Sequence, residues 1–371
     1  MKKKLITFIS MTCLTLTSCF SFTACGNDAE SADTLVVLNY GKYIEADVLK
    51  RFQQETGITV KYEEYESVED MYAKYKAGSI NYDVVCTSDY MVETLRKEGE
   101  LIPIDYNSLT NYKNIDPTII EASESFDPNH KYTVPYFYGT VGILYNTEKV
   151  DEETVSSWNC LWDPAYKNQI VMINSQRDAF MVPLKMLGYD INTSNTKELD
   201  EAFDMLCDEK KYVYAYLMDE TYECMVSEDA AMAVCYSGEA AMGMEYNDKL
   251  AYTVPKEGGN LWIDSWFVPR TCKHYDAAMK WIDFMCEEEA ATENFEYVWY
   301  ATPNLTVAAN EDAETLADET VFPTKETLSH CDLYSAYDDK TLDYTTTLWK
   351  KLKYNRWTGL RTRRTRRGAV P

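Results

Sequence analysis

The chain has 371 residues, 46% of them hydrophobic and 13% aromatic, enough to build real cores and more than one domain. Its formal charge of −25 argues against a nucleic-acid binder, because the phosphate backbone rewards cationic surface. That charge favours a cationic ligand, although acidity also serves solubility by itself.

The amino terminus reads as an address. "MKKK" is a positive n-region, an apolar stretch diluted by Thr and Ser follows, and "FTACG" closes it with small residues and a cysteine. This resembles a bacterial lipoprotein signal peptide over residues 1–24, with Cys25 acylated and residues 25–33 as a lipid-anchored tether. Cys25 is chosen over Cys19 because the polar "GNDAESAD" follows it, whereas "FSF" follows Cys19. An unprocessed membrane helix is the alternative. Either reading puts the polar body outside the cytoplasmic membrane, and no later run reaches the ~18 to 20 apolar residues of a span.

Further along, "TLVVLNYGKYI" begins as a buried strand and turns at Gly41, and "EADVLKRFQQETG" has helical periodicity that stops at Gly57. "ITVKYEEYE" returns to strand, and "SVEDMYAKYKAGS" to a helix opened by Ser67 with Asp70 as a capping acid. "YDVVCTSDYM" reads as strand throughout. This β-α-β-α-β order predicts an open α/β sheet with functional residues just beyond the C-terminal strand ends.

In the middle, "KYTVPYFYGTVGILYNTEKV" reads as two strands meeting at Gly139, and "QIVMINSQRDAFMVPLKMLGY" as strand, loop and helix. "TKELDEAFDMLCDEK" is a helix, and "AAMAVCYSGEAAMGM" a strand ending at Tyr236 before a turn at Gly238. "YDAAMKWIDFMCEEEAATENFEYV" reads as one long helical stretch, and "LYSAYDDKTLDYTTTLWKKLK" as terminal helix. Two lobes fit better than one sheet, since a single core stops growing near this size. The final "NRWTGLRTRRTRRGAVP" carries Arg and no acid, which predicts a disordered basic tail over 356–371.

Catalytic apparatus is hard to find. The 14 glycines are scattered and form no phosphate loop, no G-x-S-x-G elbow occurs, and His130 has no evident nucleophile partner. His130, His274 and His330 lie far apart and the cysteines show no ligand spacing, so neither metal nor cofactor is expected. An extracellular site permits disulfides among Cys86, Cys160, Cys207, Cys224, Cys235, Cys272, Cys286 and Cys331 without requiring them. Acid runs such as "CDEK" and "CEEE" read as solvated helix faces.

"GGNLWIDSWFVP" offers recognition instead. Strand alternation directs Trp262, Asp264 and Trp266 to one face and Ile263 and Ser265 to the other. A carboxylate beside apolar rings must be paired or face a ligand, because unpaired burial costs on the order of several kcal/mol. An organic ammonium answers that need: Asp264 takes its charge, and a ring covers its carbon flank with a cation–π contribution of about 1 to 2 kcal/mol. An internal Lys or Arg partner for Asp264 is the competing reading. Similar chemistry recurs at other predicted strand ends: Tyr40, Tyr43, Asp89, Tyr90, Asp178, Tyr236 and Tyr300.

"LNYGKYIEADVLKRFQQETGITVKYEEYESVEDMYAKYKAG", "YDVVCTSDYMVETLRKEGEL", "YTVPYFYGTVGILYN", "SWNCLWDPAYKN", "VPKEGGNLWIDSWFVP", "MKWIDFMC" and "YATPNL" together resemble, in order, the spermidine/putrescine-binding subunit of bacterial ABC importers. The resemblance implies a type II periplasmic-binding-protein fold, two α/β lobes with a central ligand cleft. Lobe 1 is expected over 34–140 and 265–318, and lobe 2 over 141–264 and 319–355. The implied protein is no enzyme. It is a monomeric receptor on the outer face of the cytoplasmic membrane, delivering a linear polyamine to a permease and its ATPase.

By the same resemblance, Trp262 stacks on the aliphatic ligand chain, Asp264 grips an amine and Asp178 holds the far amine. Tyr40 and Tyr236 stand where Trp is common, Tyr43 and Tyr300 add contacts, and Thr87 replaces a usual Ser. Two departures bear on selectivity: Ser175 stands where a second carboxylate is typical, and Asp89 where Tyr is usual. Another cationic or small polar solute is the nearest alternative ligand, and an extracellular enzyme or adhesin the alternative of a different class.

Overall fold

The computed structural model describes residues 34–354 apart from Asp219. The signal peptide, the acylation of Cys25 and the basic tail therefore lie outside the described residues.

The strands are β1 Thr34–Tyr40, β2 Thr59–Tyr65, β3 Val84–Ser88, β4 Leu101–Ile102, β5 Thr133–Asn146, β6 Ile170–Ile173, β7 Val213–Leu217, β8 Met232–Tyr236, β9 Leu250–Thr253 and β10 Leu261–Pro269. They follow the order β2-β1-β3-β10-β5-β8-β6-β7, with β4 on β10 and β9 on β5. β1 is parallel to β2 and β3, and β6 is parallel to β7 and β8. β10 runs antiparallel to β3 and β5, and β5 antiparallel to β8 and β9. Helices cover both faces, so strands such as "VVCTS" are buried at every position rather than alternating with solvent.

The apolar interior divides along this path. Leu35, Val37, Phe52, Val134, Trp266 and Trp281 fill one face of the first half, and Val36, Leu38, Val85, Ile263 and Phe267 the other. Val141, Ile143, Phe180, Leu206 and Val234 fill one face of the second half, and Leu144, Val171 and Ala233 the other. This is the two-lobed α/β architecture of the type II periplasmic-binding-protein fold, with β5 contributing to both halves.

Local capping signals hold in the structure. Helix Ala46–Thr56 ends at Gly57 with φ 72°, and the Ser67 hydroxyl accepts the Asp70 backbone N–H at 3.1 Å to open helix Val68–Ala77. Four readings are corrected. Gly139 does not divide two strands: β5 is continuous over 14 residues, all buried, because it must pair with β10 and then with β8 and β9. The strand reading of "YDVVCTSDYM" fails at Asp89, which begins helix Asp89–Lys97 and accepts the Tyr90 backbone N–H, an arrangement favoured by the positive helix end.

Gly238 is no turn, since helix Ser237–Tyr246 starts directly after β8, with Glu239 accepting the Tyr236 backbone N–H at 2.9 Å. The long helical stretch is two helices, Tyr275–Met285 and Glu288–Val298, because Glu287 turns extended at φ −67° and ψ 146°. The acids of "CEEE" thereby stand at a helix N-terminus, where the macrodipole favours them.

Candidate cleft for a cationic ligand

β10 delivers Asp264. Alternation holds: Trp262 and Trp266 join one core face while Ile263 and Phe267 join the other. Trp266 turns inward, its ring 5.7 Å from Trp281 and 4.9 Å from Tyr136. Trp262 instead meets Tyr300 at 4.9 Å and Tyr236 at 6.2 Å. Between them Asp264 is only 6% exposed.

No Lys or Arg pairs with Asp264 among the described ion pairs, so the internal-cation reading is not what the structure shows. Two phenols serve it instead: Tyr43 donates to Oδ2 at 2.7 Å and Tyr40 donates to Oδ1 at 3.3 Å. Burial pushes the Asp264 carboxyl up to about 7, against the downward pull of these two hydrogen bonds. The same burial, with the facing carboxylate, raises both phenols, which therefore stay protonated donors.

A second aspartate repeats the arrangement. Asp178 is 2% exposed in the first turn of helix Gln176–Leu187, whose N-cap is Ser175. Tyr236 donates to its Oδ2 at 2.7 Å and Tyr334 to its Oδ1 at 2.9 Å. An ionised carboxylate offers roughly four lone-pair sites, so each aspartate keeps acceptor capacity beyond its two phenols.

Rings connect the two acids. Tyr43 contacts Tyr300 at 5.9 Å, Tyr300 contacts Trp262, and Trp262 contacts Tyr236, whose hydroxyl reaches Asp178. β5 passes close beneath: a Cβ at Gly139 would lie 2.5 Å from Trp262 Cζ2 and 2.7 Å from Ser237 Oγ. Only a residue without a side chain fits that crossing.

The structure thus brings Tyr40, Tyr43 and Asp264 together, Asp178 with Tyr236, and Trp262 with Tyr300. Thr87 is fully buried opposite Ser265 on β10, and neither hydroxyl has a hydrogen-bond partner among the described residues. Asp89 is likewise fully buried, with Oδ2 unpartnered.

Sequence reasoning missed Tyr334 and Arg177. Arg177 donates to the Ser335 carbonyl at 2.8 Å and to Asn192 Oδ1 at 2.9 Å, with its guanidinium 3.8 Å from the Tyr337 ring and 4.2 Å from Tyr334. It so fixes the segment that carries Tyr334. The tyrosines of "LYSAYDD" were a visible signal, but nothing local tells which of them faces Asp178.

The arrangement suits binding. It offers buried carboxylates, phenols that orient them, and ring faces between. Among the described residues no cluster of three or more His, Cys, Asp or Glu could hold a metal ion, and all eight described cysteines are free.

Residues 47–324 match the bacterial extracellular solute-binding protein family. The chain is 35% identical over 331 residues to a spermidine/putrescine-binding periplasmic protein of Salmonella typhimurium, covering 88% of this chain and 94% of that one. The crystal structure of a spermidine/putrescine ABC transporter substrate-binding protein from Streptococcus pneumoniae superposes with a TM-score of 0.78 at 38% identity, covering 86% of this chain and 98% of that one. A lipoprotein of Treponema pallidum shares the fold, with a TM-score of 0.78 at 22% identity over 86% of this chain and 99% of its own. With a match over most of its length and a two-lobed α/β architecture, the chain belongs to the bacterial extracellular solute-binding proteins, which bind and do not catalyse.

Proposed function

We propose that the protein is an extracytoplasmic receptor that captures a linear polyamine, putrescine or spermidine, and delivers it to an ABC permease and its ATPase. The observation that carries this reading is the pair of buried aspartates, each held by two tyrosine hydroxyls and joined by aromatic contacts. Seating an ammonium against each acid relieves the cost of burying it, and the rings exclude water from the methylenes between. Relatives named for spermidine and putrescine binding support the ligand class.

In this reading Trp262 and Tyr300 cover the ligand's carbon chain, Asp264 and Asp178 take ammonium groups, and Tyr40, Tyr43 and Tyr236 orient those acids. Thr87 and Asp89 offer further polar contacts. The receptor is monomeric, anchored through acylated Cys25, and divided into lobes near the boundaries expected from the sequence, except that β10 belongs whole to the first lobe. Ligand-driven closure of the lobes gives a permease a state to recognise.

Calorimetric titration with putrescine, spermidine, arginine and a neutral sugar tests the proposal. Binding of 1:1 stoichiometry to a polyamine, at micromolar concentration or tighter, supports it. Folded, ligand-free protein that gives neither heat nor thermal shift with any polyamine overturns it.

A further inference from the structure

Asp89 is a third buried acid beside the Asp264 seat. It sits fully buried where β3 passes into helix Asp89–Lys97. The Tyr90 backbone N–H donates to its Oδ1 at 2.6 Å, which engages one oxygen at the helix N-terminus. Its Oδ2 has no hydrogen-bond partner among the described residues, and neither does the Oγ of the preceding Ser88. Ser88 is the cross-strand Cα partner of Asp264, so this orphaned pair of acceptors adjoins the Asp264 seat.

Among the described residues no side chain or backbone group is hydrogen-bonded to Oδ2. No described ion pair includes Asp89. Burial pushes its carboxyl well up, Asp264 pushes the same way, and the Tyr90 N–H, Arg177 and the Ile263 N–H pull down. The charged groups acting on Asp89 are therefore Asp264 from β10 and Arg177 from the helix that carries Asp178. Arg177 donates to Ser335 and Asn192 instead, so its field reaches Asp89 while its hydrogen bonds go elsewhere.

A buried carboxylate oxygen without a donor is costly, and a helix N-terminus satisfies only its partner oxygen. A cationic donor would serve that oxygen and offset the second acid beside it. A secondary ammonium has two N–H donors, and Asp89 Oδ2 with Ser88 Oγ supplies two acceptors on consecutive residues.

We infer that Asp89 is a third nitrogen seat, taking the inner secondary ammonium of a linear triamine, and that it makes the cleft prefer a triamine to a diamine. The inference rests on the polyamine reading above. A diamine has two nitrogens for three buried acids and leaves one of them without a cation. A triamine fills all three, so the extra nitrogen brings affinity rather than a desolvation cost.

The test is calorimetric titration of the full chain and of Asp89→Asn with putrescine and with spermidine. Asn keeps Oδ1 as the acceptor for the Tyr90 N–H, so the helix start is preserved. Wild-type protein is expected to bind spermidine at least about tenfold tighter than putrescine, and Asp89→Asn to erase that ratio by weakening spermidine more than putrescine. Ser88→Ala, which leaves the helix cap untouched, is expected to narrow the ratio in the same direction and carries the test if Asp89→Asn fails to fold.

A wild-type protein that binds both polyamines with equal affinity, or an Asp89→Asn protein that loses both equally or neither, overturns the Asp89 assignment and leaves the polyamine reading standing. Absence of binding to either polyamine by folded wild-type protein removes the polyamine reading itself, and the inference with it.

Discussion

Tyr43 and Asp264 stand 221 positions apart and share a hydrogen bond of 2.7 Å. The phenol comes from the loop after β1 and the carboxylate from β10, strands that the sheet separates by β3 alone. That bond orients an acid whose burial would otherwise favour its neutral form, and the following expectations follow from such pairings.

Asp264→Asn keeps the shape of the side chain and removes its charge. Polyamine affinity should fall by more than about tenfold, or roughly 1.4 kcal/mol, while the unliganded protein melts no earlier, because a buried carboxylate without a cation has been removed. Trp262→Ala should weaken binding comparably with a lower melting temperature, since losing a buried indole costs about 3–5 kcal/mol. Calorimetry and thermal melts of both variants check this, and an unchanged affinity for either would remove that residue from the cleft.

Protonation of Asp264 should compete with the ligand. With its carboxyl raised to about 7, capture of an ammonium below that pH requires a proton to leave, so affinity should drop about tenfold per unit of acidification. For the unliganded fold the sign is opposite. An acid raised on folding stabilises at low pH, and that contribution is lost progressively as pH climbs from about 4 to about 7. Asp264→Asn should flatten both profiles, which titrations and melts between pH 5 and pH 8 would reveal.

Glu209 gives a stability prediction remote from binding. It is fully buried, both carboxylate oxygens lack partners among the described residues, and burial raises it to about 8. Its contribution should therefore be complete below about pH 4.5 and disappear as pH rises through about 8. Glu209→Gln should abolish that decline in melting temperature without altering ligand affinity. A wild-type melting curve that does not fall relative to the variant across this window contradicts the assignment.

Gly238→Ala should disturb Tyr300. A Cβ there would lie 1.9 Å from Tyr300 Cε1, so the ring that meets Trp262 has to move. Overpacking of this kind costs about 1–3 kcal/mol. A lower melting temperature together with weaker binding is expected, and a variant with wild-type affinity would show that the Tyr300 position does not matter to the ligand.

Much of this was legible along the chain. The β-α-β-α-β opening, the stop at Gly57, the Ser67 cap and the one-face alternation of Trp262, Asp264 and Trp266 are local patterns set by periodicity and capping chemistry. The resemblance carried the two-lobed fold, because colinear fragments encode it jointly. Asp89 was misread because a buried strand and a helix N-terminus share the same few residues in "CTSDY", and the apolar run before them masked the cap signal.

By itself the sequence determined most of the strands and helices and that an acid among tryptophans needs a partner, since those follow from neighbours within a few positions. Only the tertiary structure decided who the partners are: Tyr43 and Tyr40 for Asp264, Tyr334 and Tyr236 for Asp178, and none among the described residues for Asp89 Oδ2. The physical reason is that hydrogen bonds to a buried carboxylate depend on angstrom-scale placement of residues from different elements. Strand order and β5 continuity set that placement, and both are fixed by pairings between segments far apart in the chain.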